Sequence, residues 1–444
     1  MPISIKYITL KIIIIAMKIE EVLKNGTEGM EVEIKGWVYR WRESGKIIFV
    51  IVRDSTDIIQ VVISKSDVND EDFKHAKNAN IESSVVVRGV LRKDERAPTG
   101  FEILASSFKL IGKSENFPIY KDQSDEYLLD IRHLWLRSRE MNAILKIRAT
   151  SFYKLHEFFH NEGYYEVQAP MFVSNAVEGG STLFEVPYFG RKAYLTQSSQ
   201  FYLETFIFSL ENVYTVAPSF RAEKSRTRRH LTEFWHCEAE AAWLSNEDIM
   251  KFEEKMITYI VDGILENNTK ELKLLNRDIS MLEKVKPPFD RLKYEDVIKI
   301  GQNVGLDIDY GSDLGADEEH AITKKFEKPT FVVNYPKKLK PFYHRPDPDN
   351  PDVVLNHDLL APEGYGEIIG GGERIWDYNE LIQRMKEENL NPNDYGWYID
   401  LRKYGSVPHS GFGLGIDRFI WWVAGLEHIK YAIPYPRNIR RVTP

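Results

Sequence analysis

With 444 residues the chain is long enough for two or three domains that each bury a core, and its single cysteine, Cys237, excludes an internal disulfide or a paired-cysteine zinc site. The formal charge of -8 argues against a surface that grips nucleic acid everywhere, yet leaves room for local patches such as Lys224, Arg226, Arg228 and Arg229. Such a composition fits the reducing cytoplasm.

Residues 1–16 hold an apolar run from Ile12 to Ile15, with Lys6 and Lys11 upstream. The run is shorter than the ~20 apolar residues of a membrane span and has no small-residue cleavage site after it. The expectation is an N-terminal extension or a misassigned start ahead of Met17, with no membrane partner. From Glu31 to about Gly112 five short runs alternate or cluster apolar residues: Val32 to Val38, Ile47 to Val52, Ile58 to Ile63, Ser84 to Leu91 and Phe101 to Leu110. Turn segments separate them, and a helical stretch, Glu71 to Asn78, follows the third. Five strands with a helix after the third suit an OB-fold, a barrel that binds single-stranded nucleic acid; a generic small β domain is the plainer alternative. The expected layout is thus a barrel domain over 17–112, a polar hinge over 113–135 and a second domain over 136–444.

In the second domain Ile144, Ile147, Phe152, Leu155 and Phe159 recur at helical spacing and stop before Gly163, which can end the helix. Ile249, Phe252, Met256, Ile260 and Ile264 mark a second amphipathic helix. Strand-like runs at Ala193 to Thr196, Val213 to Val216, Ala239 to Trp243 and Phe331 to Tyr335 make this domain α+β.

Three segments stand out for chemistry. Gly163-Tyr-Tyr-Glu-Val-Gln-Ala-Pro170 runs from a helix end into a strand and is by itself structural. Phe220-Arg221-Ala222-Glu223, a charged loop and Arg229-His230-Leu231-Thr232-Glu233 put several arginines beside carboxylates, a set suited to an anion and an amine together; a solvated hairpin with surface ion pairs is the alternative. Gly411-Phe-Gly-Leu-Gly-Ile-Asp417-Arg418 is a glycine-rich strand entering a helix, where backbone can approach a flat ligand closely. No Walker-type Gly-Lys-Ser/Thr loop is present. His230, His236 and Cys237 invite a zinc reading, but no fourth ligand stands at a zinc-like spacing.

In this order the three segments resemble motifs 1, 2 and 3 of the class II aminoacyl-tRNA synthetases, and the preceding barrel narrows the resemblance to the aspartyl, asparaginyl and lysyl subgroup. The resemblance covers the chain from about residue 17. It implies a catalytic domain built on an antiparallel sheet flanked by helices, a homodimer with motif 1 at its interface, and amino-acid activation by ATP with Mg2+ before transfer to tRNA. Arg221, Glu367 and Arg418 match the family's catalytic positions. Arg221, Ala222, Glu223, Arg229, His230, Leu231, Glu367, Gly415, Ile416, Asp417 and Arg418 match its ATP contacts; Glu367, with Gly370 and Asp358, matches its metal site. Glu178, Gln200, Glu204, Arg221, Gly370 and Arg374 match amino-acid contacts, and Phe49 and Gln60 match the barrel pair that reads the central anticodon base. Without that match Phe49 reads equally well as core.

Substrate choice turns on Gln197-Ser-Ser-Gln200-Phe-Tyr-Leu203-Glu204. In the aspartyl members a lysine stands at the position of Leu203. Here the cation is gone and Glu204 is expected to accept from an asparagine amide and repel aspartate, with Arg374 donating to the amide oxygen. The expected substrates are therefore asparagine and tRNA(Asn). The alternatives are an aspartate-charging enzyme acting on one or both tRNAs, a synthetase-like maker of free asparagine, and a non-catalytic RNA-binding relative.

Overall fold

The computed structural model describes residues 16–174, 182–225 and 227–444, so Glu178 and Arg226 lie outside the described residues. The chain divides between Ser124 and Asp125 into two compact units.

In the first unit, strands β1 (Glu31–Ser44), β2 (Ile47–Arg53), β3 (Ile58–Ser64), β4 (Ser84–Lys93) and β5 (Phe101–Gly112) close into a barrel of order β1-β2-β3-β5-β4. Period-two alternation drives it: Ile48, Val50 and Val52 of β2 and Ile59, Val61 and Ile63 of β3 point inward, and their branched side chains pack well on a pleated surface. Closure leaves no free edge to pair with another chain. Helix α1 (Ile19–Asn25) adds Ile19 and Val22 to the core, and α2 (Asp70–Asn78) adds Phe73 and Ala76. The Asn69 side chain caps α2 by accepting from the Asp72 amide at 2.8 Å. The expected strands and helix all appear, with β1 running six residues beyond Val38.

The second unit is built on an eight-stranded sheet. Its strands are β6 (Tyr165–Glu166), β7 (Asn212–Phe220), β8 (Glu233–Ala242), β9 (Asp290–Lys293), β10 (Thr330–Val333), β11 (Asn356–Ala361), β12 (Gly366–Glu373) and β13 (His409–Gly415), in the order β9-β10-β11-β12-β13-β8-β7-β6. The inner pairings are antiparallel, and a parallel strand lies at each edge, β9 on β10 and β6 on β7, so the sheet is mixed rather than purely antiparallel. Strand β8 starts six residues before Ala239 and ends at Ala242, because Trp243 takes a left-handed backbone (φ 69°) that turns the chain out of the sheet.

Helices α3 (Arg139–Asn161) and α5 (Asn246–Asn267) pack on the sheet through aromatic side chains. Phe159 stacks on Tyr214 of β7 at 4.2 Å, while Phe252 of α5 meets Phe158, Tyr164 and Phe412. Such offset and edge contacts add ~0.5–1.5 kcal/mol each beyond burial. Strand β13 shows how the core and site share one backbone. Phe412 and Leu414 enter the core, and Gly411, Gly413 and Gly415, which alternate with them, face the other way.

Candidate active site

On that opposite face the glycines leave room for charged neighbours. A Cβ at Gly411 would sit 2.1 Å from the Glu240 carboxyl, and one at Gly413 would meet His236 Nε2 at 2.7 Å. Helix α7 (Ile416–Val423) begins where β13 ends. Its first turn offers Arg418 to the site and turns Asp417 inward, where Asp417 holds Arg148 of α3 and accepts from the Trp235 amide at 2.8 Å.

Arg221, Glu223, Arg229, His230, Leu231, Glu367, Gly415, Asp417 and Arg418 line one cavity with Phe234 and His236. Ala222 and Ile416 do not line it: Ala222 donates its amide to Thr182, and the Ile416 side chain is in the core. The Arg221 guanidinium lies 5.4 Å over the Phe234 ring. Arg418 donates to the Glu367 carboxylate at 3.0 Å and to its carbonyl at 3.1 Å. Burial works against the Glu367 charge, but Arg418, Arg229 and Lys340 more than offset it and bring the carboxyl down to about 2. His230 Nδ1 faces the hydroxyls of Ser225 and Thr227; burial and Arg418 push its pKa down to about 3, so the ring is neutral at neutral pH.

A buried carboxylate absent from the sequence reading, Glu319 on α6 (Ala316–Thr323), ties two of these groups together. It pairs with Arg229 and accepts from the Glu367 amide at 2.7 Å, and burial raises it to about 7. It was hidden in Asp317-Glu318-Glu319, a run that reads as an ordinary acidic helix start.

Asp358 stands opposite Gly370 in the β11–β12 pairing. A Cβ at Gly370 would lie 3.4 Å from Glu367 Oε1 and 3.5 Å from Asp358 Oδ1, so the two carboxylates face one point with only backbone beneath it. Paired hard oxygens of this kind suit a divalent cation that takes its remaining ligands from water and phosphate. Among the described residues no group of three or more His, Cys, Asp or Glu forms a metal cluster, so any such ion would have few protein ligands. Lys340 Nζ bonds both Asp358 oxygens, at 2.7 and 2.9 Å.

A second group of buried charges lies where the amino-acid contacts were expected. Arg374 donates twice to Glu240 Oε1, at 2.6 and 3.1 Å, and both residues are essentially inaccessible. Burial pushes the Glu240 carboxyl up to about 8, with Arg374 opposing and Glu204 adding to the rise. Glu238, two residues earlier on β8, bonds Ser198 and the Ser199 amide, and so fixes the turn into α4 (Gln200–Leu210). Gln200 and Glu204 are both on α4, joined by a 3.0 Å bond from Gln200 Nε2. Glu204 is fully buried and meets Tyr398 at 2.8 Å, Arg402 at 2.6 Å and His409 Nε2 at 3.1 Å. Four groups thus surround a carboxylate with about four lone-pair sites. It is no surface helix residue. Glu238 and Glu240 could have been suspected from sequence, since acidic residues alternating within a strand of small apolar ones need buried partners.

In the barrel, Phe49 and Gln60 both face outward on adjacent strands, so Phe49 is not core. Arg42 lies 4.3 Å over the Phe49 ring, and Gln60 donates to Glu102 at 2.8 Å. A bulge between Val38 and Arg40 shifts β1 so that Arg40 and Arg42 pair with Ile51 and Phe49 on this same face. That alignment is invisible to simple alternation.

A family model described as tRNA synthetases class II (D, K and N) matches residues 124–439, and one described as OB-fold nucleic acid binding domain matches residues 32–111. The chain is 58% identical to the asparagine–tRNA ligase of Thermoplasma acidophilum over 428 residues, 96% of this chain and 100% of that protein. It is 53% identical to the asparagine–tRNA ligase of Thermococcus kodakarensis over 418 residues, 94% of this chain and 97% of that one. The crystal structure of asparaginyl-tRNA synthetase from Pyrococcus horikoshii complexed with asparaginyl-adenylate superposes with a TM-score of 0.93 at 48% identity, covering 97% of this chain and 100% of that one. With its arginine-lined cavity, glycine-floored strand and closed N-terminal barrel, the chain belongs to the class II aminoacyl-tRNA synthetases, in the group that handles aspartate, lysine and asparagine and beside its asparagine–tRNA ligases.

Proposed function

We propose that the protein activates asparagine with ATP to an asparaginyl-adenylate and transfers the asparaginyl group to tRNA(Asn). The observation that carries the choice of amino acid is the buried Arg374–Glu240 pair, which offers a donor and an acceptor side by side with Leu203, not a cation, buried on α4. A carboxamide matches that pair: its oxygen accepts from Arg374 and its NH2 donates to Glu240. Once Glu240 is ionised, aspartate would set oxygen against its carboxylate, and charge is the one large difference between two nearly isosteric substrates. Glu204, with its oxygens already engaged, is better suited to hold Gln200 and the electrostatics behind Arg374 than to touch substrate.

In the first step the asparagine carboxylate attacks the α-phosphorus; a carboxyl-oxygen–phosphorus bond forms, the α–β phosphoanhydride bond breaks and pyrophosphate leaves. Charge builds on the non-bridging oxygens, so the protein's task is to place cations there in advance. Arg221 is the clamp on the α-phosphate and substrate carboxylate, with its guanidinium set over Phe234. Arg418 is held at the nucleotide by Glu367, and neutral His230 donates a hydrogen bond without taking a proton. Asp358 and Glu367 would hold Mg2+, which when bound neutralises part of the polyphosphate charge. The barrel face bearing Phe49, Gln60, Arg40 and Arg42 suits an unstacked anticodon base and its phosphates. Exposed Tyr153 on α3 and Tyr165 on edge strand β6 support a homodimer through these motif 1 elements. Among the described residues no helix is long and apolar enough to cross a membrane.

The test is amino-acid-dependent ATP–pyrophosphate exchange without tRNA, with asparagine and aspartate compared in the same buffer containing magnesium. Exchange with asparagine alone is expected. Exchange with aspartate would move the chain to an aspartate-charging or asparagine-making enzyme, and none with either would indicate a non-catalytic relative.

A further inference from the structure

Lys340 carries no role in the reading above, yet it occupies a central position. It follows a short 3-10 turn (Lys337–Leu339), and its ammonium reaches back over the Tyr335 ring, 4.0 Å from the centroid, to both oxygens of Asp358. The same open region is lined by Arg221, His230, Glu319, Glu367 and Arg418. One Asp358 oxygen held by Lys340, Oδ1, is also the one that faces Gly370 beside Glu367 Oε1. Arg418 takes the other Glu367 oxygen, Oε2, and leaves Oε1 directed at the shared point.

Two carboxylates facing one point repel each other unless a cation neutralises them. A lysine is a compact point charge on a flexible stem, so it can sit where a divalent ion would sit and leave by bond rotation, as a planar, forked arginine cannot.

We propose that Lys340 is a stand-in for the divalent cation: in the nucleotide-free protein it neutralises Asp358, and an ion can take the Asp358–Glu367 pair only as Lys340 swings away. The displaced ammonium needs a new anion, which the nucleotide phosphates provide on the same side of the cavity. Metal and nucleotide binding are thereby coupled, each making the other tighter. The device rests on the reading of Asp358 and Glu367 as metal ligands, and it discourages futile occupation of the site by metal before ATP arrives.

The test is a Mn2+ titration of the full chain without nucleotide, amino acid or tRNA, with free Mn2+ read by electron paramagnetic resonance. Lys340→Met removes the competitor at similar length and is expected to bind Mn2+ about tenfold more tightly than the parent, within the usual range of coupling. Lys340→Gln, which still donates to Asp358, keeps the site polar and should shift affinity the same way by less. Near-UV circular dichroism checks that each variant is folded. Adding Asp358→Asn to Lys340→Met should abolish the gain. Unchanged or weaker Mn2+ binding in folded Lys340→Met or Lys340→Gln, or a gain that survives Asp358→Asn, would overturn the proposal. Loss of asparagine-dependent exchange would sink the proposed function while leaving this titration intact.

Discussion

At the scale of single residues, Glu240 and Glu204 show how burial and partner count divide the work between two glutamates. Glu204 meets four partners and has no lone pair left for a ligand, whereas among the described residues Arg374 alone donates to the Glu240 carboxyl. With its carboxyl raised to about 8, Glu240 is protonated below that pH and can donate to an aspartate carboxylate; above it, the ionised group repels aspartate. The preference for asparagine over aspartate in kcat/KM should therefore climb several-fold between about pH 6.5 and about pH 8.5. Glu240→Gln, with no charge to switch on, should flatten that rise in parallel exchange assays; a profile as steep as the parent's would remove Glu240 from substrate choice.

At the scale of elements, the strand face of the barrel and the first turn of α7 make separable predictions. Phe49→Ala should weaken tRNA charging by about 1–3 kcal/mol of lost stacking while leaving ATP–pyrophosphate exchange near the parent rate. Asp417→Ala takes the carboxylate from buried Arg148, which keeps the neutral Ala432 carbonyl, and from the half-buried Trp235 amide; the uncompensated charge should cost about 3–5 kcal/mol in a denaturant titration. The elements themselves were legible because their periods are clean, as in the β2 alternation and the helical spacing from Ile144 to Phe159. The arginine cavity was legible too, because Arg221, Arg229, His230 and Arg418 stand in dense local patterns. Lys340, Glu319 and Arg42 were not. Each acquires its place through a long-range pairing, to β11, to β12 or across a bulge, that neighbouring residues do not encode.

At the scale of the whole molecule, the first unit contains a complete barrel with its own core, closed by five strands of that unit. A fragment of residues 17–124 should fold alone and melt cooperatively by circular dichroism, since a single core of this size can hold itself together. Failure to melt cooperatively would mean the barrel depends on the catalytic unit. The floor of the catalytic cavity has a different kind of autonomy. Where Gly371, Gly411 and Gly413 press against His357, Glu240 and His236, no side chain can be added without collision. Those three positions are consequently closed to evolutionary tinkering: point substitutions can reshape the walls around them but cannot replace the bare backbone there. A lineage or a directed-evolution library seeking a new amino-acid substrate would have to gather its successful changes on α4, β8 and the segment around Arg374, and sequences drifting elsewhere in the strand would be purged rather than repurposed.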